Sequence, residues 1–296
     1  MSNAGDAAVV VGIDGSEESL RAVRWAARTA RVRHEPLHLV YAFAPLAGAY
    51  GAGLPVRQSA YEELLRAGRT MLEDAVRTAR ETAGEKVRIT SDMPNDPPAP
   101  VLLDRARRAR MVVLGCSGTG GFTGMLAGST TVQVSAHAAC PVAVIRGRDT
   151  DEGPVVVGVD GSPGGERALE MAFEEACWRN APLVAVHAWS DDEFTAYYAT
   201  MPLAVNWAEV EADEHRVLAE RLAGWQEKYP DVQVERVVVR DRPRHQLLSW
   251  STRAQLVVVG SRGRGGFSGL LLGSTSQALI HHAQCPVMIV RPGPAQ

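Results

Sequence analysis

The chain has 296 residues, 46% of them hydrophobic and 22% charged, with a formal net charge of -3 and a pI near 6.3. That length suits two domains of about 150 residues, each large enough to bury its own core. A near-neutral balance supplies no global field for nucleic acid or anionic lipid, and no apolar stretch approaches the roughly 18 residues of a membrane span, so neither partner is expected.

Read in chain order, short runs rich in Val, Ile and Leu alternate with amphipathic stretches. The pattern predicts a strand over 9–13, a helix over 17–33, a strand over 37–43 and, after a long loop, a helix over 61–83. A strand over 87–90, a helix over 101–108 and a strand over 111–114 follow. A glycine loop, a helix over 129–138 and a strand over 142–146 complete the series. Strands apolar on both faces and separated by helices imply a buried parallel sheet with right-handed crossovers. Ser16 and Ser162 fit as N-caps, with Pro163 at a first helical position, and Ser129 or Ser274 can open the helix after each glycine loop.

The series is written twice. "VVVGIDGS" from Val9 returns as "VVVGVDGS" from Val155, and "CPVAVIR" from Cys140 returns as "CPVMIVR" from Cys285. The aspartates Asp14 and Asp160 stand 146 positions apart, and the loop glycines Gly115 and Gly260 stand 145 apart. A repeat of this period means two domains of one architecture, assigned to 6–147 and 153–293 and joined near "GRDTDEGP". The fold class is therefore α/β: two tandem doubly wound domains, each a five-stranded parallel sheet of order 3-2-1-4-5, Rossmann-like or flavodoxin-like. The loops over 44–59 and 190–206 are long and dissimilar, and are where the copies are expected to differ in ligand or partner.

"GSRGRGGFSGLLLGST", starting at Gly260, holds six glycines in sixteen residues, and "GCSGTGGFTGMLAGST" from Gly115 nearly repeats it. A loop that leaves a parallel strand and enters a helix points its free N–H groups at whatever sits above the sheet, a geometry that selects anions. Both copies share one spacing: Gly115-x-x-Gly118, nine residues, Gly128-Ser129; and Gly260-x-x-Gly263, nine residues, Gly273-Ser274. The hydroxyls of Ser129, Thr130, Ser274 and Thr275 add donors for phosphate oxygens, so each loop reads as a phosphate cradle. Neither GxxxxGK[ST] nor GxGxxG is present, which demotes efficient NTP hydrolysis and dinucleotide binding.

Strand order 3-2-1-4-5 puts the first and fourth strands side by side at the ligand-binding crevice. Asp14 and Asp160 then face the glycine loops. They can accept hydrogen bonds from a ribose or an adenine edge, or hold a phosphate-bound metal; alternatively they serve only an Asp-Gly turn and a helix cap.

The early "VGxDGS", the GxxG-nine-G-S loop and the closing "CPVxVxR" resemble the universal stress protein (UspA) family, specifically its tandem-domain, ATP-binding branch. The resemblance covers essentially the whole chain. It implies ATP with Mg, held by the first-strand aspartate, by backbone near the end of the second strand, and by the glycine loop. Carried across, the positions are Gly12, Asp14, Ala42, Gly115, Gly118, Gly128, Ser129 and Thr130 in the first copy. In the second they are Gly158, Asp160, Ala188, Gly260, Arg262, Gly263, Gly273, Ser274 and Thr275. It also implies a regulatory role in stress response toward an unknown protein partner, and an intramolecular pseudo-dimer through the last strands, with a further homodimer open. The first copy departs at Cys116-Ser117, opposite Ser261-Arg262, and so lacks a counterpart of Arg262.

Two rival readings differ in class: a slow ATPase or nucleotidyl transferase, in which Asp14 or Asp160 would hold magnesium, and an interaction scaffold with no nucleotide. No residue is assigned to catalysis. Several motifs are set aside. "HEPLH" from His34 matches HExxH, but Pro36 breaks the helix that a zinc site needs. His137-x-x-Cys140 and His282-x-x-Cys285 offer two ligands per copy, and each cysteine enters a buried strand. The basic run Arg105, Arg107, Arg108 and Arg110 reads as a solvated helix face. Five tryptophans in the second copy, Trp178, Trp189, Trp207, Trp225 and Trp250, read as packing residues. The four cysteines contain no CxxC pair and are read as reduced thiols. The opening Met-Ser-Asn-Ala has no basic segment and no apolar core, so a cytoplasmic location is the expectation.

Overall fold

A computed structural model describes residues 7–43, 58–117, 127–189, 207–263 and 271–292. The chain separates into two compact units, Met1–Asp149 and Thr150–Gln296.

In the first unit the order is β1 (Val9–Gly12), α1 (Glu17–Arg33), β2 (Leu37–Val40), α2 (Gln58–Ala83), β3 (Ile89–Asp92), α3 (Pro98–Ala106), β4 (Met111–Gly115), α4 (Ser129–His137) and β5 (Val142–Ile145). All pairings are parallel and give the order β3-β2-β1-β4-β5. The second unit repeats this with β6 (Val155–Gly158), α5 (Pro163–Arg179), β7 (Leu183–Trp189), α6 (Trp207–Lys228), β8 (Val234–Arg240), α7 (Pro243–Trp250), β9 (Leu256–Gly260), α8 (Ser274–His282) and β10 (Val287–Val290). Its order is β8-β7-β6-β9-β10, again all parallel. Each unit is thus the doubly wound sheet of order 3-2-1-4-5.

The central strands are buried end to end: Val9, Val11, Met111, Val112 and Val113 in one unit and Val155, Val156, Val157, Leu256 and Val257 in the other are fully inaccessible. Such continuous Val/Leu runs are what a sheet covered on both faces requires. The β3 edge is different. Thr90 and Ser91 are exposed, and pairing with β2 sets the strand at Ile89–Asp92, two residues beyond the apolar run expected at 87–90. Helix α3 likewise starts early, because Pro98 takes a first-turn position where its missing N–H costs nothing.

Ser16 and Ser162 cap α1 and α5 through their hydroxyls, accepting from the N–H of Ser19 and Gly165 at 3.1 and 3.0 Å. At the other ends His34 and Asn180 turn left-handed, with φ of 55° and 49°. That disposes of the zinc motif: His34 terminates α1, while His38 lies on β2, bonded to Thr90 at 2.8 Å. The basic run is partly paired, Arg105 with Asp92 at 2.5 Å and Arg110 with Glu35 at 3.4 Å, while Arg107 and Arg108 are exposed. Trp225 stacks on the buried Phe173 at 6.2 Å and Trp250 is buried, whereas Trp178 is exposed.

Two glycines separate close approach from freedom. A Cβ on Gly115 would lie 2.9 Å from the carbonyl carbon of Glu18 in the first turn of α1, whereas one on Gly224 in α6 would meet nothing within 4 Å. Gly115→Ala is expected to destabilise the first unit by about 1–3 kcal/mol. Gly224→Ala is expected to stabilise the second by about 0.5–1 kcal/mol through helix propensity. Calorimetric unfolding of the two variants checks this, and equal melting shifts would contradict it.

Candidate functional site

The crevice of each unit lies at the carboxyl ends of the first and fourth strands, where the crossovers diverge. On the first-strand side, Asp14 Oδ1 accepts from the Ser16 N–H and hydroxyl at 3.0 and 2.6 Å, and Asp160 Oδ1 accepts from Ser162 at 2.9 and 2.7 Å. Each carboxylate is therefore part of the turn and cap that start the first helix, and Ser16 and Ser162 in turn hold that helix's N–H groups. Both aspartates are half-buried.

On the fourth-strand side, β4 and β9 pass close against the first helix. A Cβ on Gly260 would lie 3.0 Å from the Gly164 carbonyl carbon, the counterpart of the contact at Gly115. The strand end then continues into the loop: Cys116 N–H donates to Ile145 at 3.1 Å and Ser261 N–H to Val290 at 2.7 Å. The far end of each loop folds back, Gly128 N–H reaching the Cys116 carbonyl and Gly273 N–H the Ser261 carbonyl, both at 2.8 Å. Thr131 and Ser276 hydroxyls tie the next helix to the carbonyls of Gly115 and Gly260 at 2.9 and 2.8 Å.

The N-caps of α4 and α8 are Gly128 and Gly273, with extended backbone and no side-chain capping bond. Ser129 and Ser274 stand one residue inside the helix and are exposed, and Thr130 and Thr275 are half-buried beside them. The hydroxyls expected to open these helices therefore do not cap them. First-turn N–H groups without a side-chain cap, at the positive end of a helix, form an anion-receptive terminus.

The second unit brings the two sides together in detail. A Cβ on Gly263 would lie 2.6 Å from Asp160 Oδ2, so the loop backbone passes directly against the carboxylate. Gly12 and Gly158 are placed for packing: their missing side chains leave room for Leu114 and Leu102, and for Leu247. Ala42 lies just past β2, and Ala188 is on β7 opposite Val239. Gly118 falls outside the described residues, as do most of the two long loops.

Two arginines missed from sequence border the loops. Arg146 follows β5 near enough to Cys116 to pull its thiol down, although burial, acting upward, dominates and Glu18 adds to it. Arg291 follows β10, and burial followed by the neighbouring charge of Arg262 lowers its pKa. The "CPVxVxR" repeat contained both, but only the pairing of the fourth and fifth strands puts its arginine beside the loop. Just past the second strand, burial and then the Asp14 carboxylate push the Tyr41 phenol up. Among the described residues no group of three His, Cys, Asp or Glu is arranged to hold a metal. Cys140 and Cys285 are buried, and burial pushes the Cys140 thiol up to about 12.

Two parallel α/β units, each with a helix capped by a glycine after its fourth strand and, in the second, with Gly263 against the first-strand Asp160, define a tandem doubly wound protein. The universal stress protein family matches residues 7–146 and 153–291, and the chain belongs to that family. It is 40% identical over 291 residues to universal stress protein Rv2623 of Mycobacterium tuberculosis (strain H37Rv), covering 96% of each chain. A universal stress protein from Archaeoglobus fulgidus superposes with a TM-score of 0.71 at 18% identity, over 98% of this chain and 97% of that one. A single universal stress protein solved in complex with cAMP covers 48% of this chain and 99% of its own, at a TM-score of 0.37 and 23% identity. No helix among the described residues is long and apolar enough to cross a membrane.

Thiol accessibility tests the packing around these loops. Alkylation of the native chain is expected to modify exposed Cys177 first and half-buried Cys116 slowly, with Cys140 and Cys285 reacting only on unfolding. Peptide mapping after timed iodoacetamide treatment reads the order; early loss of Cys140 would contradict the burial.

Proposed function

We propose that each crevice binds an adenine nucleotide, ATP with Mg, and that occupancy serves a regulatory role in the stress response through a surface shown to a protein partner. The observation that carries this reading is the second unit's loop: Gly263 passes so near Asp160 that a Cβ there would lie 2.6 Å from Oδ2, and the loop ends at a helix whose cap is a glycine. An anion with an attached polar ring system fits that combination. Phosphate oxygens meet the first-turn N–H groups of α8 and the hydroxyls of Ser274 and Thr275, while the carboxylate meets ribose or base hydroxyls and N–H groups, or a phosphate-bound Mg. The first unit offers Asp14, Gly128, Ser129 and Thr130 in the same roles.

The nucleotide supplies charge and a purine to be recognised. The chain supplies donors, one carboxylate per crevice and, in the second, two guanidinium groups. Arg262 and Arg291 repel each other, and a phosphate between or beside them relieves that repulsion. The first unit has Ser117 and Arg146 at the corresponding places, so nucleotide binds more tightly in the second. A binding role fits this donor set better than rapid hydrolysis, since no lysine or positioned base accompanies either loop among the described residues.

Acid extraction of freshly purified chain followed by chromatography is expected to release adenine nucleotide, and calorimetry with millimolar ATP and Mg to show binding. Arg262→Ser is expected to weaken the tighter site about tenfold, or about 1.4 kcal/mol. Gly273→Ala adds a Cβ at ordinary contact distance, 3.4 Å from Arg262 Cα, so it should weaken the same site without unfolding the unit. No heat of binding and no rise in melting temperature with ATP would overturn the reading.

A further inference from the structure

The two units differ at a pair, a buried histidine and a half-buried glutamate, that neither the repeat nor the nucleotide reading uses. In the second unit His187, near the end of β7, is 5% exposed. Its Nδ1 lies 2.7 Å from the Val159 carbonyl and its Nε2 lies 2.8 Å from Glu214 Oε2 on α6. In the first unit the same places hold Tyr41 and Gly68. A Cβ on Gly68 would lie 2.8 Å from Tyr41 Cε1, so the tyrosine ring fills the room that the His187–Glu214 pair occupies in the second. An aromatic pair next to it keeps the same spacing in both units, Phe43 with Tyr61 at 6.2 Å and Trp189 with Trp207 at 6.1 Å. The exchange is therefore one of chemistry at a fixed place.

We infer that His187 and Glu214 are a positioning pair of the second crevice, fixing through the Val159 carbonyl the strand end from which Asp160 projects. This rests on the nucleotide reading only for its ligand, not for its geometry. Val159 is held by β7 from both of its polar groups: its N–H donates to the Val186 carbonyl at 2.9 Å and its carbonyl accepts from His187. The next residue is Asp160, whose carboxylate starts α5 and borders the glycine loop. The Val159 carbonyl can only accept, so His187 must present an N–H at Nδ1. Nε2 then either donates to a carboxylate or accepts from a carboxylic acid at Glu214. In each arrangement one proton lies between ring and carboxyl, so the half-buried bond to Glu214 persists beside the buried bond to Val159. Tyr41 can offer its neighbouring strand no such pair of ring nitrogens, and its phenol is turned within the influence of Asp14.

The test uses the full chain. With Asp14→Ala silencing the first crevice, Glu214→Leu or His187→Gln is expected to weaken ATP binding about tenfold, the loss of one hydrogen bond. Glu214→Gln is the conservative rescue: its amide can donate to a neutral Nε2, so affinity stays within about twofold while 15N spectra show His187 protonated at Nδ1 alone. With Asp160→Ala instead, none of these variants alters the first crevice. Hydrogen exchange of the Val159–Ser162 amides in ligand-free chain, faster in Glu214→Leu and normal in Glu214→Gln, reads the positioning without nucleotide. Should a single change fail to fold, His187→Tyr with Glu214→Gly installs the pair that the first unit already accommodates, and is expected to behave as His187→Gln. Absence of any ATP binding by the Asp14→Ala chain overturns the nucleotide reading and leaves the exchange result to decide the pair. Unchanged exchange and unchanged affinity in Glu214→Leu overturn the pair itself.

Discussion

At Gly115 and Gly260 the end of the fourth strand comes so near the first turn of the first helix that a single added carbon would sit 2.9–3.0 Å from backbone. That approach governs the rest of each crevice. It presses the start of the loop against the helix that the aspartate caps, so two segments about a hundred residues apart share one wall. Once they do, the loop has little choice: its first N–H completes pairing with the fifth strand, and its last glycine returns to bond the residue after the strand. The first-turn N–H groups of the following helix are left with a glycine for a cap. A receptive terminus thus results from packing that could have been purely structural.

Several residues do two jobs as a consequence. Asp14 and Asp160 are turn and cap residues, as the structural alternative for Asp-Gly required, and Asp160 also stands beside Gly263 of its glycine loop. The two roles are compatible because a carboxylate has two oxygens, and the Ser16 and Ser162 bonds go to Oδ1. Gly12, Gly158, Gly115 and Gly260 are each required by close side-chain or backbone packing.

The two copies of the architecture agree in their packing and differ in side-chain chemistry at particular places. Strand cores remain Val- and Leu-filled in both, and the caps, turns and strand order coincide. Among the described residues the differences include Cys116 and Ser117 against Ser261 and Arg262, and Tyr41 and Gly68 against His187 and Glu214. Each is a change of charge or hydrogen-bonding capacity within one shared outline.

The amino-acid order by itself determined the repeat, the alternation of strands and helices, the doubly wound class, the serine caps and the loop glycines. These depend on periodicities of two and 3.6 residues and on short turn signals, which read only near neighbours in the chain. It went astray at β3, where an exposed polar edge has no apolar pattern and its register comes from β2, and at the caps of α4 and α8, where a serine is the better local candidate but the returning loop assigns the place to a glycine. Only the tertiary structure decided that Arg146 and Arg291 border the loops, that Gly263 abuts Asp160, and that His187 meets Glu214 across a long connection. Those contacts arise from which strands lie side by side after a crossover, and no local pattern encodes the distance between residues that the packing of a sheet brings together.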